Sequence, residues 1–184
     1  HLTDGDIALL ARRGVGIVHC PVANAKLGVG VARVPEMLRA GLAVGLGTDG
    51  PASNNTLDML ETVKFACLLQ KAIRRDPTIL TARQALEMAT IGGAKALGLD
   101  GRIGSLEPGK DADFVILDLE RASTTPLHDP YAAIVYSARS GAIESVFVGG
   151  KPIVVNGRPT RLGARKILKK VYEAVNELMI MSLV

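Results

Sequence analysis

The sequence predicts an α/β protein: helices covering a parallel sheet over residues 1–100, a small β unit over 101–160 and an amphipathic helix over 161–184. Three observations carry this. A unit of short helix, glycine and apolar strand occurs twice in the first half. Its strands, within Val15–Val18 and Leu42–Leu46, lack polar alternation, as strands buried on both faces do. Beyond residue 100 the pattern shifts to short β-type runs punctuated by glycines.

Each element has its own signal. Thr3 and Asp6 form a capping box that opens a helix through Ile7, Leu9, Leu10 and Ala11, and Gly14 stands where such a helix stops. Val34, Pro35 at a first-turn position, Met37 and Leu38 make the next helix, closed by Gly41. Leu57, Leu60, Val63, Lys64, Cys67 and Leu68 keep helical spacing until Asp76-Pro77 breaks the chain. A second capping box, Thr81 with Gln84, starts a helix that runs to about Leu97 and ends at Gly98. Further on, Phe114–Leu117, Val146–Val148 and Ile153–Val155 read as strands. Gly149-Gly150 is the hairpin turn between the last two. Val115, Leu117, Val146 and Val148 are the expected inward residues of that sheet. From Leu162 onward, Ile167, Leu168, Val171, Val175 and Leu178 share one helical face.

Composition narrows the function classes. At 48% hydrophobic residues the chain is no low-complexity disordered segment, and apolar runs such as Leu178–Met181 are far shorter than a membrane span. Aromatics make up 3% with no Trp, a poor basis for stacking on nucleic-acid bases. Arg161, Arg165, Lys166, Lys169 and Lys170, set against Glu173 and Glu177, supply most of the net charge of +4 and read as a solvated helix face. Cys20 and Cys67 lack any paired spacing and are expected as reduced, packed thiols of a cytoplasmic protein. Neither nucleic acid nor a membrane is expected as a partner. Gly28-x-Gly30 is a loop, because a dinucleotide site needs a full glycine fingerprint directly after a strand.

The chemistry is expected where strands end. His19 closes the first apolar run and Asp49 the second, so both belong to the same mouth if the strands are parallel. An acid directly after a buried strand needs a partner such as a metal ion or hydrogen-bond donors. Read locally, Asp49 equally caps the next helix, and His19 is a hydrogen-bonded histidine at a strand end. His128-Asp129-Pro130 begins a helical turn before Tyr131–Ser137.

Longer stretches point further. His19-Cys20-Pro21-x-x-Asn24-x-Lys26-Leu27 is followed by Leu46-Gly47-Thr48-Asp49-Gly50-x-x-Ser53-Asn54-Asn55-x-x-Asp58-Met59. With Ala94-x-Ala96-Leu97-Gly98, Gly104-Ser105-Leu106-x-x-Gly109-Lys110-x-Ala112-Asp113 and His128-Asp129-Pro130, these resemble the amidohydrolase superfamily. The nearest branch holds the 5-methylthioadenosine/S-adenosylhomocysteine deaminases and related chlorohydrolases. The resemblance implies a metal-dependent (β/α)8 TIM barrel flanked by a small β-sandwich, with the chain supplying the C-terminal segment of the barrel and part of the sandwich. It also implies one divalent metal ion, zinc in most members, and a small-molecule nucleoside or heterocyclic substrate.

Asp49 matches the family's metal-binding aspartate at the end of the last barrel strand, the residue that takes a proton from water and passes it on. The family's His-x-His pair, the histidine after its fifth strand and the nearby proton-donating glutamate have no match here. His1 aligns beside the sixth-strand ligand rather than on it. A full barrel needs roughly 250 residues, so the chain is expected to be a partial copy, inactive alone and completed by a missing N-terminal portion or a homo-oligomer. His19 is expected to bond the substrate or the developing alkoxide, and Ser53 to reach a ring nitrogen. Two rival readings stand beside this one: a triazine-type chlorohydrolase, and a non-catalytic fragment without a complete metal site.

Overall fold

The computed structural model describes residues 2–161 and 163–181; His1 and Leu162 lie outside them. The chain first lays down α1 (Asp4–Arg12), β1 (Ile17–His19), α2 (Pro21–Lys26), α3 (Val34–Arg39) and β2 (Val44–Leu46). β1 and β2 pair in parallel, with Ile17 opposite Val44, Val18 opposite Gly45 and His19 opposite Leu46. Both strands therefore end on the same side. The α1 capping box forms as expected: Thr3 donates to Asp6 Oδ2 from its backbone at 2.8 Å and its hydroxyl at 2.7 Å. The bonds from Thr3 hold the Asp6 carboxyl below its usual range.

Three helical stretches follow: α4 (Pro51–Asn54), α5 (Met59–Arg74) and α6 (Ala82–Glu87). Asp58 caps α5, accepting from the backbone N–H groups of Leu60 and Glu61 at 2.9 and 3.2 Å. The helix expected to run unbroken from Thr81 to Leu97 instead widens into a π turn over Met88–Gly92 before α7 (Gly93–Ala96). The widening sits where the helix meets β2. A Cβ on Gly92 would meet the Val44 carbonyl oxygen at 2.7 Å, and one on Gly45 would meet Gly93 Cα at 2.8 Å. Only glycines allow that approach.

The core forms between the parallel pair and these helices. Ile7, Val34, Met37, Leu42, Val44, Ala66, Leu80 and Met88 make one buried cluster. Val63, Cys67, Ala85 and Val135 make a second. Each fully buried aliphatic contributes about 1.5–3 kcal/mol. Val135 belongs to a helical stretch, α8 (Pro130–Ala132) running into a π turn over Ala133–Ser137. It begins at Asp129, whose side chain accepts from Tyr131 N–H at 2.9 Å. Lys64 Nζ donates to the Tyr136 carbonyl at 2.9 Å. These residues, placed by composition in the β unit, thus pack on the helical layer.

The second sheet is antiparallel, in the order β3 (Phe114–Leu117), β4 (Ile143–Val148), β5 (Lys151–Val155) and β6 (Arg158–Pro159). Phe114 and Phe147 stack with centroids 4.5 Å apart. Gly149 and Gly150 turn the hairpin with φ of 54° and 73°, the left-handed pair a two-residue turn of this hand requires. Asp113, the last residue of the Gly104–Asp113 run, accepts from the Gly149 N–H at 2.6 Å.

The expected core of this sheet needs correction. Val115 is 53% exposed and Val148 50% exposed, while Leu117 and Val146 are half-buried. Alternation assigns residues to a face, but burial needs a layer packed on that face, and the described residues leave much of this one uncovered. The last element, α9 (Ala164–Met181), likewise shows its apolar stripe to solvent, with Leu168 57% and Leu178 66% exposed. No helix among the described residues is long and apolar enough to cross a membrane.

Candidate functional site

The loops leaving the parallel pair carry the site. Asp49 follows β2 with φ of 62°, a left-handed backbone that Asp tolerates better than most residues but does not prefer. Its side chain is not the cap of the next helix. Gly50 holds the N-cap position of α4 without a side-chain bond, and Asp49 Oδ1 accepts only the Gly50 N–H, at 2.8 Å. Oδ2 accepts no hydrogen bond among the described residues, and the residue is exposed. The result is a half-anchored carboxylate with one oxygen available for chemistry.

His19 is its opposite in environment. It is 2% exposed, and among the described residues neither Nδ1 nor Nε2 has a hydrogen-bond partner. The hydrogen-bonded strand-end histidine is therefore not what the fold presents. Burial lowers its pKa to about 4, so the ring is neutral at physiological pH and offers one donor and one acceptor. A buried polar group left unpaired is unfavourable by about 1–3 kcal/mol, which marks this ring as waiting for a partner. The backbone ties it to the Asp49 loop: Gly47 N–H donates to the His19 carbonyl at 3.0 Å.

Ser53 sits in the short α4, its hydroxyl donating to the Gly50 carbonyl at 3.0 Å. The proton is committed to the turn, leaving the oxygen as an acceptor. Cys20 lies against the same loop, since a Cβ on Gly47 would approach its Sγ to 3.3 Å. Burial, and then the Asp49 carboxylate, push its thiol pKa up, which fits a protonated, unreactive sulfur. Cys67 is buried and its thiol raised for the same first reason.

Three polar residues present in the motifs gained no role from sequence. Asn54, 5% exposed, donates from Nδ2 to the Thr48 carbonyl at 2.6 Å. Lys26 donates from Nζ to the Ala52 carbonyl at 3.0 Å and to Asn55 Oδ1. No sequence signal identifies such bonds, because they depend on how α2 and α4 meet.

As a metal centre the site is partial. Among the described residues no three His, Cys, Asp or Glu side chains gather closely enough to hold an ion. Asp49 therefore belongs to no such group among the described residues. A cleft of about 860 Å³ lies elsewhere: Leu46, Val63, Leu97, Phe114, Leu117 and Phe147 line a mainly apolar seam between the helical layer and the antiparallel sheet. Its lining is mainly apolar, with Glu87, Thr90, Ser105, Asp113 and Tyr131 as the polar members, and includes none of Asp49, His19 or Ser53.

Residues 1–153 match the model of the amidohydrolase family. A 5-methylthioadenosine/S-adenosylhomocysteine deaminase of Moorella thermoacetica is 46% identical over 96% of the chain, which spans 41% of that protein. A 5′-deoxyadenosine deaminase of Methanosarcina acetivorans is 43% identical over 97% of the chain and 41% of its own length. Among solved structures, an adenosine deaminase from Xanthomonas campestris with bound zinc superposes with a TM-score of 0.95 at 38% identity, covering 98% of this chain and 41% of that one. The zinc complex of an Arthrobacter aurescens atrazine chlorohydrolase superposes with a TM-score of 0.86 at 32% identity, covering 94% and 38%. The chain thus spans about two-fifths of the length of these relatives.

Proposed function

The chain belongs to the amidohydrolase family, and from that premise we propose that it forms the part of a zinc-dependent enzyme that brings the catalytic aspartate to an adenosine-type substrate. The observation that carries the reading is Asp49: a carboxylate at the carboxyl end of a buried parallel strand, with one oxygen anchored by Gly50 N–H. Deaminases of adenosine-type compounds are among its relatives at 43–46% identity. The complete active site includes residues beyond this chain's share of those proteins.

In this reading Asp49 is the one metal ligand among these residues and also the proton carrier. A bound divalent metal makes water acidic enough to ionise near neutral pH. The free oxygen of Asp49 takes the proton of the attacking water as its oxygen bonds to C6 of the purine. The same oxygen then returns that proton to the departing amino group, and ammonia leaves as the remaining hydroxyl proton passes to ring N1 and the C6 carbonyl forms. His19, neutral in its buried setting, bonds the ring or the developing oxyanion, and the Ser53 oxygen accepts from N1–H once that nitrogen has gained its proton. Residues 101–160 support the barrel segment rather than the chemistry.

The test is the activity of the intact protein that carries this chain. Ammonia release from 5′-methylthioadenosine, S-adenosylhomocysteine or 5′-deoxyadenosine, abolished by chelation and restored by zinc, is the expected result. Chloride release from atrazine without nucleoside deamination would replace the substrate class. No zinc-dependent turnover of either kind would overturn the reading.

A further inference from the structure

The backbone of Asp49 is set by two flanking peptide planes, and the second is tied down by the residue itself. Gly50 N–H bonds Asp49 Oδ1 at 2.8 Å, while the Gly50 carbonyl receives the N–H groups of Ser53 and Asn54 at 3.2 and 3.0 Å. The first plane, between Thr48 and Asp49, is held from across the loop by the Asn54 Nδ2 bond to the Thr48 carbonyl, 2.6 Å long and nearly out of solvent. A left-handed φ at a non-glycine residue persists only where its surroundings hold it. Asn54 does so directly from across the loop, beside the Thr48 hydroxyl, which donates to the Asp49 carbonyl at 3.0 Å.

Asn54 is in turn only as fixed as α4, a helix of four residues. Lys26, at the last turn of α2, reaches the carbonyl of Ala52 and the side chain of Asn55. Among the described residues its ammonium pairs with no carboxylate, so its contacts are these neutral oxygens at the end of α4. Neither residue is part of a buried apolar cluster.

We propose that Asn54 and Lys26 are positioning residues that hold the Asp49 carboxylate in its reactive orientation, Asn54 by locking the Thr48–Asp49 peptide plane and Lys26 by latching α4 to α2. This rests on the deaminase reading for its kinetic consequence, but its structural consequence is independent of it.

The experiment compares Asn54→Asp, Lys26→Met and Lys26→Arg in the intact protein carrying this chain. Asn54→Asp keeps the shape and loses the donor. Both Asn54→Asp and Lys26→Met should lower kcat roughly 10–100-fold, the usual effect of releasing a residue that orients a ligand, while KM stays within about threefold. Lys26→Arg, which can still reach two carbonyl-type oxygens, should recover most of kcat. Tm of Lys26→Met should match wild type, since this exposed side chain fills no core; a merely structural role would lower Tm and leave kcat per folded molecule unchanged. Amide exchange at Gly50 should accelerate in both loss variants, with the β2 amides unaffected. Wild-type kcat in Lys26→Met overturns the latch, even if Asn54→Asp does not fold. If the wild-type protein deaminates nothing, the functional reading fails separately, and unchanged Gly50 exchange in Lys26→Met still overturns the positioning inference.

Discussion

The two sheets of this molecule are of similar size per strand and differ in what they can gather. In the parallel pair, β1 and β2 finish on the same side, so His19 and the Asp49 loop meet, joined by the Gly47–His19 backbone bond. In the antiparallel sheet, successive strands finish on opposite sides, and the hairpin at Gly149-Gly150 brings its two turn glycines against Ala112 and Asp113. In the parallel pair the helices bury β2, with Val44 at 1% exposure, while Val18 of β1 stays 55% exposed; the antiparallel sheet leaves both Val115 and Val148 half in solvent. Reactive groups collect where chain direction aligns strand ends, and the other sheet is free to be a support.

Kinetics should separate the two regions most widely. In the intact protein, Asp49→Asn is expected to lower kcat roughly 10²–10⁴-fold, the range for removing a general base, while Val148→Ala changes it less than about twofold. Ammonia release per folded molecule measures both. A Val148→Ala enzyme that folds normally but no longer binds substrate would make the antiparallel sheet part of the site.

Core truncation should separate them next. Met37→Ala, at 3% exposure under the parallel pair, should lower unfolding free energy by about 2–5 kcal/mol. Val148→Ala, half-exposed, should lower it by less than about 0.5 kcal/mol. Denaturant melts of both variants give the difference, and equal losses would mean the second sheet is covered after all.

Acid should then probe the parallel pair alone. His19 has its pKa lowered to about 4 by burial, against 6.5 when unfolded. Between those values the unfolded chain binds a proton that the folded one does not, so this contribution to stability is complete above pH 6.5 and lost as pH falls to 4. The loss reaches about 3 kcal/mol. His19→Asn should flatten that part of the stability profile, and an unchanged profile would show that the ring is not buried unpaired. A smaller loss than at Met37 or His19 is expected at the hairpin, where Gly150→Ala places a side chain at φ of 73° and should lower the unfolding free energy from a denaturant melt by about 1–2 kcal/mol.

Much of this contrast was legible in the sequence, for local reasons. Thr3 with Asp6, and Thr81 with Gln84, satisfy helix ends through neighbours three residues away, so spacing alone finds them. The apolar runs and the Gly149-Gly150 pair were equally local. The π turn at Met88–Gly92 was not, because it answers to the approach of β2. Nor was the packing of Val135 with Val63 and Cys67, or the exposure of Val115, since both depend on which layer arrives from elsewhere in the fold. At the site, motif position marked Asp49, His19 and Ser53. The unpaired state of His19 and the Asn54–Thr48 bond arise only once the loops are folded together.

Zinc analysis of the intact protein carrying this chain, before and after Asp49→Ala, tests the central claim most directly. The account predicts stoichiometric zinc in the wild-type protein and a loss of zinc affinity of at least about 100-fold in the variant, with ammonia release lost alongside it. An Asp49→Ala protein that keeps zinc at wild-type affinity and still deaminates its nucleoside would contradict it.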